Sequence, residues 1–567
     1  DAYIFADFDI DDIPVNVRLG EQVINWGEGL FYFDGINTVN PGDLSKLNLP
    51  GSEIREALTP QGALYFQVGF TDLLNMEAFY QYEWHESEID GVGTYLSTTD
   101  VVGRGASHTI IDANSASVAE LALLQAAGVT DTGNINIGNN ARSDEARHSG
   151  QWGVSFKYIV PALNETEFGL YFVNYHNKVP VANFATGDDF GCAQITGTTA
   201  VLGNPTYTAN NELQNANYQA GCNTGLTGIS LHNTGLDTAA LVAGGGGGAL
   251  NAAVNGVNAV AIGAAGLDPA TATINDYITA GATALTNANA VVILNNELNY
   301  LETQQLQFAY PEDVRMWGLS FNTTVAETSF SGELAFRPNH PILKDSLDNV
   351  FSLLQAQSLG TVGVSTGLGN GGTATFGQVD SQTVAANSGY IEVWDRKDII
   401  NGSLLAINNF GPVAGFDDFW TLFEVSFSHV GGLGSDDKFR DALGAVRAVA
   451  NPEDPNHTGN SITAFNIADE YISSTSWGYT AVLSGQWNSV VPGVVLNPMI
   501  TYSEDVSGNS YQGGNFVEDR KSMTLELNAV YLKNLEAGVS YTEFWDAGLN
   551  NLMRDRDNVS MTVKYSF

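Results

Sequence analysis

The ten residues from Asn558 to Phe567 alternate without a break. Val559, Met561, Val563, Tyr565 and Phe567 fall on one side, and Asn558, Ser560, Thr562, Lys564 and Ser566 on the other. Successive strand side chains point to opposite faces, so a period of two predicts a strand with one apolar and one polar face. The pattern recurs upstream. Met76, Ala78, Tyr80, Tyr82 and Trp84 alternate with Glu77, Phe79, Gln81, Glu83 and His85. Phe330, Gly332, Leu334 and Phe336 alternate with Ser331, Glu333, Ala335 and Arg337. Met523, Leu525, Leu527, Ala529 and Tyr531 alternate with Thr524, Glu526 and Asn528. Fifteen strands are predicted, near 2–10, 15–25, 62–71, 74–87, 151–160, 166–178, 313–325, 328–337, 397–410, 418–430, 476–490, 494–506, 521–533, 537–548 and 558–567.

The connections sort by length. Short ones fall at Asp11–Pro14, Asp72–Leu73, Pro161–Glu165, Ala326–Glu327, Gly411–Asp417, Val491–Gly493 and Asn534–Glu536. Long ones fall between them, at 26–61, 88–150, 179–312, 338–396, 431–475, 507–520 and 549–557. Tight turns at one end and long loops at the other characterise a membrane-spanning barrel, whose strands alternate apolar-out and polar-in over ~10 residues. The expected fold is therefore all-β: a single transmembrane antiparallel β-barrel over 1–567, about 15 strands in this chain. No apolar run reaches the ~18 residues a transmembrane helix requires. Trp84, Tyr175, Trp420, Trp487, Tyr541, Trp545 and Tyr565 are expected to form interfacial girdles. The final Phe567 resembles the signal that outer-membrane assembly machinery reads.

Strand parity adds an expectation. If the last strand descends to the periplasm, counting back makes 2–10 a descending strand too, whereas bacterial barrels have an even strand number. One further N-terminal strand would restore parity. The chain carries no signal peptide and does not begin with Met, so it is read as mature or truncated.

Composition narrows the function. The formal net charge of −41 argues strongly against a nucleic-acid binder, which needs a basic footprint. It fits a surface facing divalent cations around lipopolysaccharide, and equally solubility in a salty habitat. The two cysteines, Cys192 and Cys222, share one Gly/Asn-rich stretch and are expected to form an extracellular disulfide. The segment 179–312 reads as a large low-complexity extracellular loop. Within it, Ala239–Ala288 has poor helix propensity.

Candidate chemistry concentrates at 26–61. This stretch holds Trp26, Glu28, Asp43, Glu53, Arg55 and Glu56 among Pro and Gly, which suggests an ordered loop with internal ion pairs. Folded inward, it would plug or gate the lumen and meet wall residues Arg18, Glu77 and Glu83, with Glu333 and Arg337 on the same polar face. That face also carries Asn16, Gln81, Ser331, Glu424, Ser426, Gln486, Glu526 and Lys564, so acids outnumber bases on it. Leu343–Gln357 places its leucines on one helical face. Gly363-Val364-Ser365-Thr366-Gly367 matches a nucleophile-elbow pattern but lacks the strand–turn–helix setting, and neither His176 nor His429 has a serine partner. No enzyme, cofactor or metal site is expected; Asp188-Asp189 and Ser503–Asn509 read as solvated loop.

Val17-Arg18-Leu19-Gly20-Glu21-Gln22-Val23-Ile24-Asn25-Trp26-Gly27-Glu28, the run Ile36–Pro41 with Pro50–Glu56, and Phe336–Pro341 carry a resemblance. They resemble an uncharacterised proteobacterial outer-membrane β-barrel family classed as a domain of unknown function. Its members are often encoded near a resistance-nodulation-division exporter and a periplasmic lipid-carrier-like protein. The resemblance implies traffic of hydrophobic or lipidic molecules across the outer membrane, and ~18 strands in the whole barrel. The expected function is a passive outer-membrane channel or transporter for hydrophobic or amphipathic small molecules or lipids, gated by the inward loop. A porin for polar solutes, and a structural or adhesive surface protein using its long loops, are the alternatives. Expected partners are outer-membrane lipid and lipopolysaccharide and, by resemblance, the lipid-carrier-like protein and inner-membrane exporter.

Overall fold

The computed structural model describes residues 2–47, 57–98, 103–112, 134–139, 145–185, 305–344, 391–392, 394–434, 439, 471–512 and 514–566. Twenty strands lie among them: β1 (Ala2–Ile10), β2 (Ile13–Gln22), β3 (Gln61–Thr71), β4 (Leu74–Gln81), β5 (His108–Asp112), β6 (Asn134–Asn139), β7 (Gln151–Val160), β8 (Thr166–Tyr175), β9 (Val181–Ala185), β10 (Gln305–Ala309), β11 (Val314–Val325), β12 (Thr328–Leu343), β13 (Ile391–Glu392), β14 (Trp394–Asn409), β15 (Asp418–Val430), β16 (Thr475–Val491), β17 (Val494–Ser507), β18 (Lys521–Tyr531), β19 (Leu535–Trp545) and β20 (Asn558–Tyr565). The one α-helix among the described residues is a single turn, Leu44–Leu47, and no helix is long and apolar enough to cross a membrane.

Fifteen strands form one sheet in the order β1-β2-β3-β4-β7-β8-β11-β12-β14-β15-β16-β17-β18-β19-β20. They are the fifteen that alternation predicts, and each pairs antiparallel with its neighbour. Among the described residues no ladder joins β1 to β20. Several short turns use two consecutive left-handed residues, Asp11-Asp12, Asn164-Glu165 and Leu532-Lys533. That conformation matches the twist of the strands it joins.

Two differences from expectation have physical causes. First, β12 and β14 extend well beyond the predicted ends, with Leu343 paired to Trp394. Pro338 and Pro341 lack a donor for the ladder, and a register shift between Arg337 and His340 absorbs the irregularity. Second, the long connections build a sheet of their own, β13-β9-β10-β6-β5. Its strands have two to six residues, too few for alternation to register. Leu343 belongs to β12 and Lys344 to an isolated bridge with Phe439, so the predicted helix does not start there.

The large sheet is inverted relative to a soluble one. Cross-strand partners Phe8, Val15, Val68, Met76, Phe156, Leu170, Leu319 and Leu334 make an uninterrupted apolar row across eight strands. The row continues through Gly402 to Phe427 and Trp477. Many of its members stand exposed, with Leu319 at 55%. The opposite face buries Gln81, Ser155, Arg337, Glu333, Glu424, Ser426 and Thr480. Two expected girdle residues lie elsewhere. Because β4 ends at Gln81 rather than near 87, Trp84 leaves the sheet and packs against Ala146 and Tyr310. Tyr175 falls on the buried face.

Cys192, Cys222, Glu53, Arg55, Glu56, Gly363–Gly367, Asp188-Asp189, Ala239–Ala288, residues 345–357 and Phe567 lie outside the described residues. Ser503–Ser507 is the end of β17 rather than loop, and Asp505 there receives Arg520 Nε at 2.7 Å and the Val517 N–H.

Candidate functional site: a strap across the polar face

Between the end of β2 and the start of β3 the chain leaves the sheet and lies against its polar face. Its two ends are clipped together. Asn40 Oδ1 accepts the Ile24 N–H at 3.1 Å, and Asn40 Nδ2 donates to Ile24 O at 2.5 Å. Gln81 Nε2 donates to Val39 O at 3.3 Å. Ile24, Trp26, Ile36 and Val39 then form the main apolar core with Tyr65, Phe79, Tyr171, Val173, Tyr175, Val314, Met316 and Ala335. Trp26 is 1% exposed; its indole N–H donates to Glu77 Oε2 at 2.5 Å, and its ring meets Phe79 at 5.0 Å. Glu77 also lies 3.8 Å from Lys157.

Beyond Trp26 the strap is held by carboxylates accepting backbone N–H groups. Glu333 takes those of Glu28 (2.5 Å), Gly29 (3.1 Å) and Ile36 (3.0 Å). Glu424 takes those of Leu30 (3.2 Å) and Phe31 (3.0 Å). The glycines at 27, 29 and 35 explain why the backbone can wrap so closely. A Cβ at Gly27, which has φ +100°, would lie 2.6 Å from Glu333 Oε2, and one at Gly35 would overlap Glu333 Oε1. Carboxylate oxygens accepting several N–H bonds form strong, charge-assisted contacts.

The strap's far end reaches β16 and the 508–520 connection. Tyr32 OH lies 3.2 Å from Thr480 Oγ1, and its ring stacks on Phe516 at 5.0 Å. Phe33 exchanges two bonds with the Asn515 amide, which imitates a strand neighbour. Asp34, with φ +63°, turns the chain back. Arg337 is fully buried and secures this turn: Nη1 donates to Asp34 O at 2.7 Å, Nη2 to Gly35 O at 2.6 Å and Nε to Tyr175 OH at 2.9 Å. Asn401 Nδ2 donates to Asp34 O, and Tyr511 OH to Asp34 Oδ2.

One short segment thus spans strands β4 to β16, seven ladder steps apart in the sheet order. Laid flat, that is about 34 Å at ~4.8 Å per strand. The polar face therefore curves around the strap. Charge balance across the contact is uneven. Glu28, Asp34, Glu77, Glu333 and Glu424 face Lys157 and Arg337, and neutral N–H donors supply much of what cations do not. Burial is the main cause raising the Glu28 carboxyl above its usual range, against the Asn322 hydrogen bond. Burial also pushes the Tyr511 phenol well up, beside Asp34.

Not every side chain of the strap is engaged. Leu30, Phe31 and Phe33 are 44%, 38% and 40% exposed. They stand on a segment whose backbone is tied to carboxylates of the wall.

Of the candidates drawn from the sequence, Trp26, Glu28, Glu77, Glu333 and Arg337 meet at the strap. Arg18 and Glu83 do not. Arg18 stays on β2 between tyrosine rings, and Glu83, past the end of β4, accepts the Gly62 N–H at 3.1 Å. Asp43 pairs with Lys46 at 2.9 Å beyond the strap. The anticipated ion pairs are largely replaced by backbone–carboxylate bonds. The sequence marks Glu424 as part of the polar wall and carries no local signal for Asn401, Tyr511 or Asn515. The Gly27, Gly29, Gly35 spacing was the available signal for a backbone cradle.

The chain belongs to a family described as a protein of unknown function (DUF1302), whose model matches residues 1–567. No curated protein matches it.

Proposed function

We propose that the sheet is the wall of a bacterial outer-membrane β-barrel and that the protein is a passive passage for hydrophobic or amphipathic small molecules, with the strap at 24–40 as its gate. The exposed apolar face would meet lipid, and lipopolysaccharide at the long-loop end; apolar-out and polar-in is the polarity such barrels require. The observation that carries the substrate class is the exposed trio Leu30, Phe31 and Phe33 on the strap. A gate for sugars or ions has no use for an exposed apolar surface of this kind, whereas an apolar solute gains by covering it. The resemblance to a family encoded beside an exporter and a lipid-carrier-like protein supports the same reading. The polar wall favours a second one, a porin for polar solutes.

The test is native purification followed by mass spectrometry of co-purified lipids and other apolar molecules, with liposome-swelling assays in parallel. The wild type should retain apolar molecules that the Leu30→Ser, Phe31→Ser, Phe33→Ser triple variant loses, and should admit sugars slowly. Equal retention by both proteins, with free sugar flux through the wild type, would overturn the proposal in favour of the porin.

A further inference from the structure

Arg18 stands on β2 in a chain with 63 acidic residues against 22 Lys and Arg. It shares the polar face with Tyr65 and Phe79, its cross-strand neighbours on β3 and β4. Its guanidinium lies 5.1 Å from the centre of the Tyr65 ring and 5.8 Å from that of Tyr3. Nε donates to Asn16 Oδ1 at 3.0 Å. Asn16 is in turn held by Asp7, to which it donates at 2.6 Å. No ion pair joins Arg18 to an acid among the described residues.

The arrangement orients the guanidinium fork. Nε is occupied, so a side-on bidentate contact through Nε and one Nη is blocked. The two Nη groups remain for an end-on contact, whose spacing matches the two oxygens of a carboxylate. The Tyr65 and Tyr3 rings flank the guanidinium at cation–π distance and favour its staying there. A dianionic phosphate would suffer more repulsion than a monoanion here, because Asp7 lies beside Asn16 and Glu77 sits two strands away in the adjacent row of the same face.

We infer that Arg18 is a recognition site for the carboxylate of an amphipathic molecule, so that the solutes passing this protein include carboxylate-headed amphiphiles. The inference rests on the passage proposed above and narrows its substrate class.

Isothermal titration of the detergent-solubilised full chain with octanoate, and separately with octanol, tests it, with empty micelles as the reference. Arg18→Gln should weaken octanoate binding roughly tenfold and leave octanol binding unchanged, because only the acid uses the fork. Arg18→Lys, which keeps the charge but not the fork, should fall between. Circular dichroism and heat-modifiability on gels verify that each variant is folded. Octanoate binding that Arg18→Gln leaves intact, or an equal loss for acid and alcohol in a folded variant, would overturn the inference. The Leu30, Phe31, Phe33 triple variant separates the two ideas. If it leaves octanol binding untouched while octanoate still depends on Arg18, the apolar platform fails and the carboxylate site stands.

Discussion

Replacing Glu333 with alanine should free the strap without unfolding the sheet. The side chain accepts three strap N–H groups, from Glu28, Gly29 and Ile36. A hydrogen bond to a charged group contributes ~1.5–3 kcal/mol net, and water entering the vacated space restores part of it. Allowing for that, the closed strap should lose about 3–4 kcal/mol, which is roughly a 10²- to 10³-fold rise in the fraction released, at 1.4 kcal/mol per decade. Strand ladders are untouched, because Glu333 contributes only its backbone to β12 pairing. Two assays apply: single-channel conductance in planar bilayers, and limited proteolysis of the strap in detergent. Glu333→Ala should give larger or more frequent openings and a new cleavage between 26 and 36. Gly35→Ala should act in the same direction from the other side of the contact, because its methyl would overlap Glu333 Oε1. Wild-type conductance and an uncut strap in both folded variants would refute the reasoning.

Leu319→Arg on the exposed apolar row should destabilise the protein in bilayers by ~2–4 kcal/mol, whereas Ser560→Arg on the polar face of β20 should be tolerated; urea unfolding in vesicles of stated lipid composition distinguishes them. Lys178, beyond β8, donates to the side-chain oxygens of Gln61 (3.1 Å) and Gln151 (2.8 Å) and lies over the Trp84 ring, and burial lowers its pKa well below the ordinary lysine value. The unfolded chain then holds a proton that the folded chain releases, so stability rises with pH between the depressed pKa and the usual value near ~10.4. Lys178→Met should flatten that part of the pH profile of the urea midpoint, and an unchanged slope would contradict the assignment.

The strands were legible because alternation is local: Asn558 to Tyr565 declares its two faces without reference to any other part of the chain. The sorting of short and long connections was equally visible. The destination of the strap was not. Glu28 and its acceptor Glu333 are 305 positions apart, and Leu30 and Glu424 are 394 apart. Nothing local distinguishes a wall carboxylate that accepts backbone N–H groups from one that faces water. Arg18 and Glu83 looked like equal candidates with Glu77 because they share its polar register. Which of them the strap meets depends on the path set by Trp26 and the turn at Asp34. Trp84 misled for a simpler reason. The alternation of β4 persists in sequence past Gln81, but the ladder stops there and the tryptophan turns into a cluster with Tyr310.

The clip between Asn40 and Ile24 has a kinetic consequence. It lies at the root of the strap, away from Glu333 and Glu424, so breaking the outer contacts leaves both ends of the segment fastened. A released strap then stays close to its own docking site, at a high effective concentration however dilute the protein is. Closing a loop of comparable length takes on the order of 10–100 ns once the chain is free. On the gate proposed above, openings should therefore be brief and numerous, and a solute covering Leu30, Phe31 and Phe33 would delay the return.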